Sequence, residues 1–310
     1  MDHAYLMHGY EYSQEVFNMI AAHGYKKVFW LFGTWGDPTN VGTFTYWMTE
    51  SNIPIGVQRA HAIGLEILGV DANTYGYQTT IDVEDYALVD KIASATKTII
   101  AQKGLDGWVD GTENFSGSIA NFIRFINVRA QAVHSIGKKF LWANQAWKGM
   151  SETRWTMYDY ATDADATTPM FYDHVDPPNF EPCINRVLNS YPGSVLVGFA
   201  FRCTQQPPTG YTLADELAML DRVLNTNPNK SKVTGVHTYF RGSPLSITSQ
   251  EWNYWDSWLA SQGEQESVLL KSTPVPVTFT VNGVQYPSGT TLQVPRGSIL
   301  NISVPGEVLT

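Results

Sequence analysis

The chain has 310 residues, which is long for one average domain, but an α/β barrel uses about 250 residues as a single unit. Hydrophobic residues make up 43% of the chain and charged residues 16%, a composition that predicts a folded globular protein and excludes a disordered one. The net charge of −9, without clustered Lys and Arg, excludes a nucleic-acid-binding surface, and no apolar run approaches the roughly 20 residues of a membrane span.

A unit of helix followed by strand repeats along the chain. In each copy a helical pattern ends at a glycine and a short apolar run follows, as in AAHGYKKVFWLFG, AHAIGLEILGVDA, AQKGLDGWVDG and VHSIGKKFLWANQ. Glycine after a helix supplies a left-handed cap, and a short apolar run between turn residues is typical of a strand buried on both faces. With looser copies later in the chain, the pattern predicts strands at residues 4–9, 27–33, 65–71, 105–112, 139–145, 168–173, 195–201 and 234–240.

Eight strands alternating with helices predict an α/β fold, a (β/α)8 TIM barrel, which we place at residues 1–262. The segment SQEWNYWDSWLAS supplies its last helix. A doubly wound open sheet is the alternative, although no Gly-rich nucleotide-binding motif supports it.

The sequence pattern changes after Ser261. Apolar and polar residues alternate from there on, with Asn282-Gly283 where a tight hairpin turn is expected. Residues 270–310 therefore predict a small C-terminal β module. About forty residues make a poor independent sandwich, so the module packs on the barrel or is cut short.

The stretch LDGWVDGTENF forms the predicted fourth barrel strand and the turn that follows it. Alternation along a strand places Val109 and Glu113 on one face and Asp110 on the other. The apolar-then-acid face suits a barrel interior that opens into a pocket at the carboxyl ends of the strands, where barrel enzymes carry their chemistry. Partial burial there would raise the pKa of Glu113 and suit it as a general acid. The alternative is that Glu113 only begins the next helix.

The same stretch resembles the fourth-strand motif of the endo-β-N-acetylglucosaminidases of glycoside hydrolase family 85, relatives of the family 18 chitinases. The matching residues are Asp106, Gly107, Trp108, Glu113 and Asn114. A second stretch, IPIGVQRAHAIGLEILG, resembles the family's run into the third strand, with matches at Ile53, Pro54, Ala60, His61, Gly64, Leu68 and Gly69. Trp142, Tyr172 and the segment VGFAFR resemble later motifs more weakly.

The resemblance implies a substrate-assisted reaction in which the acetamide oxygen of the substrate attacks the anomeric carbon and forms an oxazoline. It implies that Glu113 is the acid and base and that Tyr172 hydrogen-bonds the acetamide. The family places an Asn, and family 18 an Asp, two residues before the Glu to orient the acetamide, whereas this chain has Gly111. Asp110 replaces this helper only if a bulge re-aims it. Asn144 and Asp173 are the other candidates.

Two functions therefore remain open, an endo-β-N-acetylglucosaminidase-like hydrolase and a catalytically silent, lectin-like barrel that binds glycans. The expected partner is an oligosaccharide or a glycoprotein glycan in both cases. We predict no cofactor, and the histidines show no metal-ligand spacing. His8 and His237 lie at predicted strand ends. The residues predicted to contact substrate are Trp35, Asp71, Asn73, Trp142, Asn144, Trp147, Asp173, Arg202 and Tyr239.

Several of these residues have a plain structural alternative. Asp71 and Asn73 are common turn formers, and Arg202 is equally suited to a salt bridge at the rim. Cys183 and Cys203 leave both a single disulfide and free thiols open. The N-terminus lacks the pattern of a signal peptide. We nevertheless expect an extracellular glycan-cutting protein, with the cytoplasm as the alternative.

Overall fold

The computed structural model describes residues 1–9, 11–35, 41–72, 80–112, 114–145, 156–170, 177–200, 212–239, 243–262, 265–272, 277–295, 300 and 302–304. Its strands are β1 (Ala4–His8), β2 (Lys27–Trp35), β3 (Phe44–Tyr46), β4 (Glu66–Ala72), β5 (Ile81–Asp82), β6 (Gly107–Gly111), β7 (Phe115–Ser116), β8 (Lys139–Gln145), β9 (Ala166–Met170), β10 (Val195–Ala200), β11 (Val233–Tyr239), β12 (Gln265–Leu269), β13 (Thr278–Val281), β14 (Val284–Pro287), β15 (Thr291–Pro295) and β16 (Ile302–Ser303). Its helices are α1 (Gln14–Ala22), α2 (Asn52–His61), α3 (Tyr86–Lys103), α4 (Ile119–His134), α5 (Pro177–Ser190), α6 (Leu213–Thr226) and α7 (Ser249–Ser261), with 3-10 turns at Thr156–Asp159, Lys230–Lys232 and Pro244–Ser246.

Eight parallel strands close into a barrel in the order β1, β2, β4, β6, β8, β9, β10, β11, and β11 pairs back to β1. The predicted (β/α)8 barrel is confirmed and the open sheet is wrong, because an open sheet would leave β1 without one of these two partners. The sixth barrel strand, β9, begins two residues before the predicted start at 168. Because all eight strands run the same way, their carboxyl ends meet at one rim, which we call the mouth.

Side chains alternate between two hydrophobic layers along each barrel strand. The layer inside the barrel includes Leu6, Phe29, Val70 and Val109. The layer between the strands and the helices includes residues of the opposite parity, among them Trp108. Strands buried on both faces need nearly continuous apolar runs, which is the pattern that the sequence shows.

Local signals set the ends of several helices. Thr212 and Asp215 form reciprocal side-chain to backbone hydrogen bonds at the start of α6, as Thr248 and Glu251 do at the start of α7. Gly104 ends α3 in the left-handed conformation, with φ of 73°. The end of α3 at Gly104 places the start of β6 three residues later, at Gly107.

The C-terminal strands form small antiparallel sheets. β13 and β14 make a hairpin, and its turn residues Asn282 and Gly283 have φ of 51° and 84°, which is the conformation of the tight turn expected there. Leu270, Phe279 and Val281 form a separate apolar cluster in this region. The division into domains at residues 262 and 270 stays a prediction.

Candidate active site at the mouth of the barrel

The fourth barrel strand, β6, carries its apolar face inward. Val109 packs in the interior layer beside Val70 and Leu141, whereas Trp108 packs outside. The predicted orientation of this strand is therefore confirmed as far as Gly111, the last residue of β6. Glu113, predicted as the acid and base, lies outside the described residues.

Gly111 lies very close to β4. The two strands stay in register from Leu68 opposite Gly107 to Ala72 opposite Gly111, and the Gly111 amide donates a 3.0 Å hydrogen bond to Asp71 Oδ1. A Cβ at position 111 would lie 2.1 Å from the backbone oxygen of Asp71, which is closer than real Cβ contacts come. Only glycine fits at this position without a shift of the backbone.

A cluster of charged side chains is buried on the outer side of the same strands. Arg129 reaches from α4 between Asp71 of β4 and Asp110 of β6, and all three side chains are at most 1% exposed. Its Nη2 atom donates to Asp71 Oδ2 at 2.8 Å and to Thr96 Oγ1 at 3.2 Å, and its Nη1 atom donates to Asp110 Oδ1. We call Asp71, Asp110 and Arg129 the buried triad.

The two carboxylates of the triad have different hydrogen-bond partners. Asp71 Oδ2 also accepts a hydrogen bond from Trp35 Nε1, and Asp110 Oδ1 accepts one from Thr112 Oγ1 at 2.8 Å. Asp110 Oδ2 has no hydrogen-bond partner among the described residues. Burial raises the pKa of Asp110 to about 7; Arg129 opposes this shift and the charge of Asp71 adds to it.

The structure contradicts the roles predicted for Asp110 and Asp71. Asp110 does not replace the missing helper, because β6 pairs with β4 without a bulge and the Asp110 side chain points away from the barrel interior towards Arg129. Asp71 does not contact sugar in this structure, since it is buried and both of its oxygens accept hydrogen bonds from protein groups.

Two predicted stacking residues are also corrected. Trp35 and Trp142 are completely buried in the layer between strands and helices, so neither ring offers a face to a ligand. The Trp142 ring stacks on Tyr158, with 5.5 Å between ring centroids. Trp142 follows the alternation of β8, whereas Trp35 reaches the outer layer because a register shift between Leu31 and Gly33 reverses the alternation of β2.

Polar and aromatic groups meet at the mouth between the first and last barrel strands. His8 Nε2 lies 2.9 Å from the hydroxyl of Tyr239, and both side chains are partly exposed. The Tyr239 ring packs against the interior layer, as does the ring of Trp47. β2 continues four residues beyond the end of β1, and β3 pairs with this extension. Trp47, the residue after β3, donates its amide to the Phe32 carbonyl of β2.

A second histidine lies deeper in the barrel. His237 is buried, its Nδ1 is hydrogen-bonded to Thr168 Oγ1, and its ring lies 5.6 Å from that of Phe29. Burial lowers the pKa of His237 to about 3, so this ring is neutral near pH 7. His237 thus lies inside the barrel, two residues before Tyr239 on β11, and is uncharged.

Several predicted residues lie outside the part of the chain that the structure describes. They are Asn73, Glu113, Trp147, Tyr172, Asp173 and Arg202, together with the side chain of Asn144. Within the described residues, no group of three or more His, Cys, Asp or Glu side chains could hold a metal ion. No described helix is long and apolar enough to cross a membrane.

The sequence analysis missed Arg129 and Trp47. Arg129 carries a detectable signal, because it continues the apolar stripe of Phe122, Phe125 and Ile126 along α4, where a charged side chain needs a buried partner. Trp47 follows a three-residue strand that no alternation predicted. Its amide bonds to the Phe32 carbonyl of β2, a contact that no local pattern indicates.

No family model and no curated protein matches the sequence, but its fold matches solved structures. A chitinase from Chromobacterium violaceum matches with a TM-score of 0.58 at 15% identity, over 83% of this chain and 99% of that chain. A family 18 chitinase from Crocus vernus matches with a TM-score of 0.57 at 14% identity, over 83% and 98%. The xylanase-α-amylase inhibitor protein XAIP-I, solved with trehalose, matches with a TM-score of 0.57 at 14% identity, over 84% and 98%.

At sequence identities this low, the structural matches establish the fold alone. This chain is a closed (β/α)8 barrel of the kind found in family 18 chitinases, with extra small strands at its C-terminus.

Proposed function

We propose that this protein is a glycoside hydrolase that acts on glycans containing N-acetylglucosamine. The observation that carries the proposal is the inward face of β6, since Val109 packs inside the barrel and the strand ends at the mouth two residues before Glu113. The motif around Glu113 and the fold of the chitinases support the same reaction class. Neither feature alone would carry it, because one fold hosts many functions.

The mechanism that we propose is substrate-assisted. Glu113 protonates the glycosidic oxygen while the acetamide oxygen of the sugar attacks the anomeric carbon, so the leaving alcohol departs and an oxazoline forms. Glu113 then takes a proton from water as the water opens the oxazoline. Tyr172 hydrogen-bonds the acetamide in this scheme. The finer specificity that we propose is endo-β-N-acetylglucosaminidase-like, with cleavage within the chitobiose core of an N-glycan.

The acetamide helper cannot come from two of the positions considered. Position 111 has no room for a side chain, and Asp110 is held on the outer side of β6. We propose that Asn144 or Asp173 orients the acetamide instead. Asn73, Trp147 and Arg202 stay proposed contacts to the remaining sugar groups.

We propose a sugar-binding role for the aromatic groups between the first and last barrel strands. The Tyr239 hydroxyl is hydrogen-bonded to His8, and the rings of Tyr239 and Trp47 both pack against the interior layer. An apolar ring next to polar hydroxyls suits a pyranose, which is itself apolar on its faces and polar at its edges.

The test is turnover of two substrates, a chitin oligosaccharide and an N-glycan with a chitobiose core, by the wild type and by Glu113→Gln. Gln keeps the size of the side chain but cannot donate the acid proton, so product release should stop while binding of the oligosaccharide persists. Glu84→Gln, at an exposed acid elsewhere, is the matched control. Turnover by Glu113→Gln at the wild-type rate would overturn the assignment.

A catalytically silent glycan-binding barrel is the second candidate, and Gly111 favours it. Loss of the acetamide-orienting side chain would disarm such an enzyme, and the close approach of Asp71 leaves no room to restore that side chain. The match to XAIP-I shows that this fold also occurs in a protein described as an inhibitor. Binding of both glycans by the wild type without release of product would select this candidate.

A further inference from the structure

The buried triad joins β4, β6 and α4 near the end of β6, which lies two residues before Glu113 in the chain. Arg129 of α4 is bound to the last but one residue of β4, Asp71, and to the last but one residue of β6, Asp110. The Arg129 guanidinium also lies 5.5 Å from the ring centroid of Trp35, 5.3 Å from that of Phe125 and 5.6 Å from that of Phe140. Removing three charged groups from water is unfavourable unless they pair with good geometry, so the contacts of the triad tightly restrict its arrangement.

The two carboxylates also hydrogen-bond to the two residues that precede Glu113 in the chain. Asp71 Oδ1 accepts the Gly111 amide at 3.0 Å, and Asp110 Oδ1 accepts the Thr112 hydroxyl at 2.8 Å. Gly111 and Thr112 are therefore held through side chains that Arg129 itself holds. A catalytic group needs this kind of support, because a shift of about 1 Å in a reacting group can slow a reaction about 100-fold.

We propose that Arg129 is a positioning residue of the active site, which holds Asp71 and Asp110 on the outer side of the barrel and thereby fixes the backbone that leads into Glu113. The inference rests on the proposed function. Arg129 itself lies outside the barrel, so it acts through Gly111 and Thr112 and does not touch substrate.

A purely structural Arg129 predicts a different outcome. If the triad only stabilised the barrel, its disruption would lower the unfolding temperature, and every molecule that remained folded would turn over at the wild-type rate. A positioning role instead lowers kcat per folded molecule and leaves KM nearly unchanged, since the mouth that binds the sugar is intact. The split between kcat and KM therefore separates the two roles.

The experiment compares Arg129→Lys with Arg124→Lys on a chitin oligosaccharide, well below the unfolding temperature of each variant. Lys keeps the charge but lacks the planar fork that pairs with two carboxylates. We expect Arg129→Lys to lower kcat about 10- to 100-fold with KM within about threefold. Arg124 lies on the same helix, is partly exposed and is 4.0 Å from Asp90, so its replacement should leave kcat unchanged.

Each outcome has one meaning. An unchanged kcat in Arg129→Lys, or an equal loss in Arg124→Lys, overturns the positioning role while an active wild type keeps the proposed function. An inert wild type overturns both. If Arg129→Lys does not fold, Asp71→Asn takes its place. Asp71→Asn should lower kcat at least about threefold and speed hydrogen exchange at the Gly111 amide, because an amide oxygen accepts a weaker hydrogen bond than a carboxylate. An unchanged kcat and an unchanged exchange rate would again overturn the positioning role.

Discussion

Gly111 lies so close to Asp71 that a methyl group at position 111 would be 2.1 Å from the Asp71 carbonyl oxygen. The same two residues share a hydrogen bond of 3.0 Å from the Gly111 amide to Asp71 Oδ1. The end of β6 is therefore drawn against β4 at the position where the chitinase-like motif carries its acetamide helper. The glycine is a requirement of this packing, and in the proposed mechanism the acetamide helper must come from another position.

Replacing Gly111 by Asn should therefore lower stability and restore nothing. We expect Gly111→Ala and Gly111→Asn to cost about 1 to 3 kcal/mol of unfolding free energy, because the opposing atom belongs to the backbone and cannot rotate away. Denaturant unfolding measures this cost. Gly9→Ala is the control, since its Cβ would meet its nearest neighbour at 3.1 Å and needs only a small shift. A Gly111→Asn variant as stable as the wild type and more active would contradict the packing argument.

Asp110 should make the protein less stable as pH rises towards neutrality. Its pKa is about 7 in the folded protein against an ordinary value of 3.8, so the folded state holds a proton that the unfolded chain has released between these values. This contribution is fully present below pH 3.8 and is lost as pH rises through about 7. Asp110→Asn mimics the protonated form, and its unfolding temperature relative to the wild type should rise between pH 4 and pH 8.

Thermal unfolding of both proteins at pH 4, 6 and 8 checks this pH prediction. Buried His3 and His237 have pKa values lowered to about 3 and add the opposite trend in acid, so the comparison uses the difference between variant and wild type, in which they cancel. Asp90→Asn removes an exposed carboxylate and controls for the change in net charge. A constant difference at all three pH values would show that Asp110 does not titrate in this range.

The fold could be predicted because each barrel strand is buried on both faces. That burial requires a short apolar run, and the glycine that ends the preceding helix marks where the run begins, as Gly104 does before β6. The ends of the strands were less certain. β9 begins two residues earlier than expected because Ala166, Thr167 and Thr168 are buried, although small and hydroxylated residues look like a turn in the sequence.

The site was predicted less well because its residues depend on partners far along the chain. Alternation gave the inward face of Val109, which is a local property of one strand. The partner of Asp110 is Arg129, 19 residues away on a helix. The sequence does not show this ion pair, so Asp110 was considered for a catalytic role that its buried position contradicts. Only the charged residue within the apolar stripe of α4 pointed to the triad.

The resemblance also mixes fold contacts with chemistry. His61 and Asp106 come from the two best-matching motifs, and the His61 ring nitrogen Nε2 lies 2.6 Å from Asp106 Oδ2. Asp106 precedes β6 and His61 ends α2, so the pair lies at the opposite end of the barrel from the mouth. Residues at that end contribute to stability in barrel enzymes. Part of the motif match therefore reflects the fold, and in the proposed mechanism only Glu113 and its neighbours bear on the reaction.

Tyr239→Phe should weaken substrate binding if the mouth holds a sugar as proposed. The change removes the hydroxyl that lies 2.9 Å from His8 Nε2 and leaves the ring against the interior layer. Loss of one hydrogen bond of about 0.5 to 1.5 kcal/mol corresponds to a rise of about 2- to 10-fold in KM or in the dissociation constant of the oligosaccharide. Tyr160→Phe, at an exposed tyrosine, is the control. Equal effects of the two changes would remove Tyr239 from the site.

Trp47 and Trp142 should respond in opposite ways to replacement by Phe. Trp142 is completely buried against Tyr158 between strands and helices, so Trp142→Phe leaves a void and should lower the unfolding free energy by about 1 to 3 kcal/mol without changing KM. Trp47 is partly exposed and packs against the interior layer, so in the proposed site the loss of its larger ring should raise KM by about 3- to 10-fold through weaker stacking on the sugar. Oligosaccharide kinetics and denaturant unfolding on both variants distinguish these effects. A rise in KM for Trp142→Phe but not for Trp47→Phe would contradict the proposed binding of the sugar at the mouth.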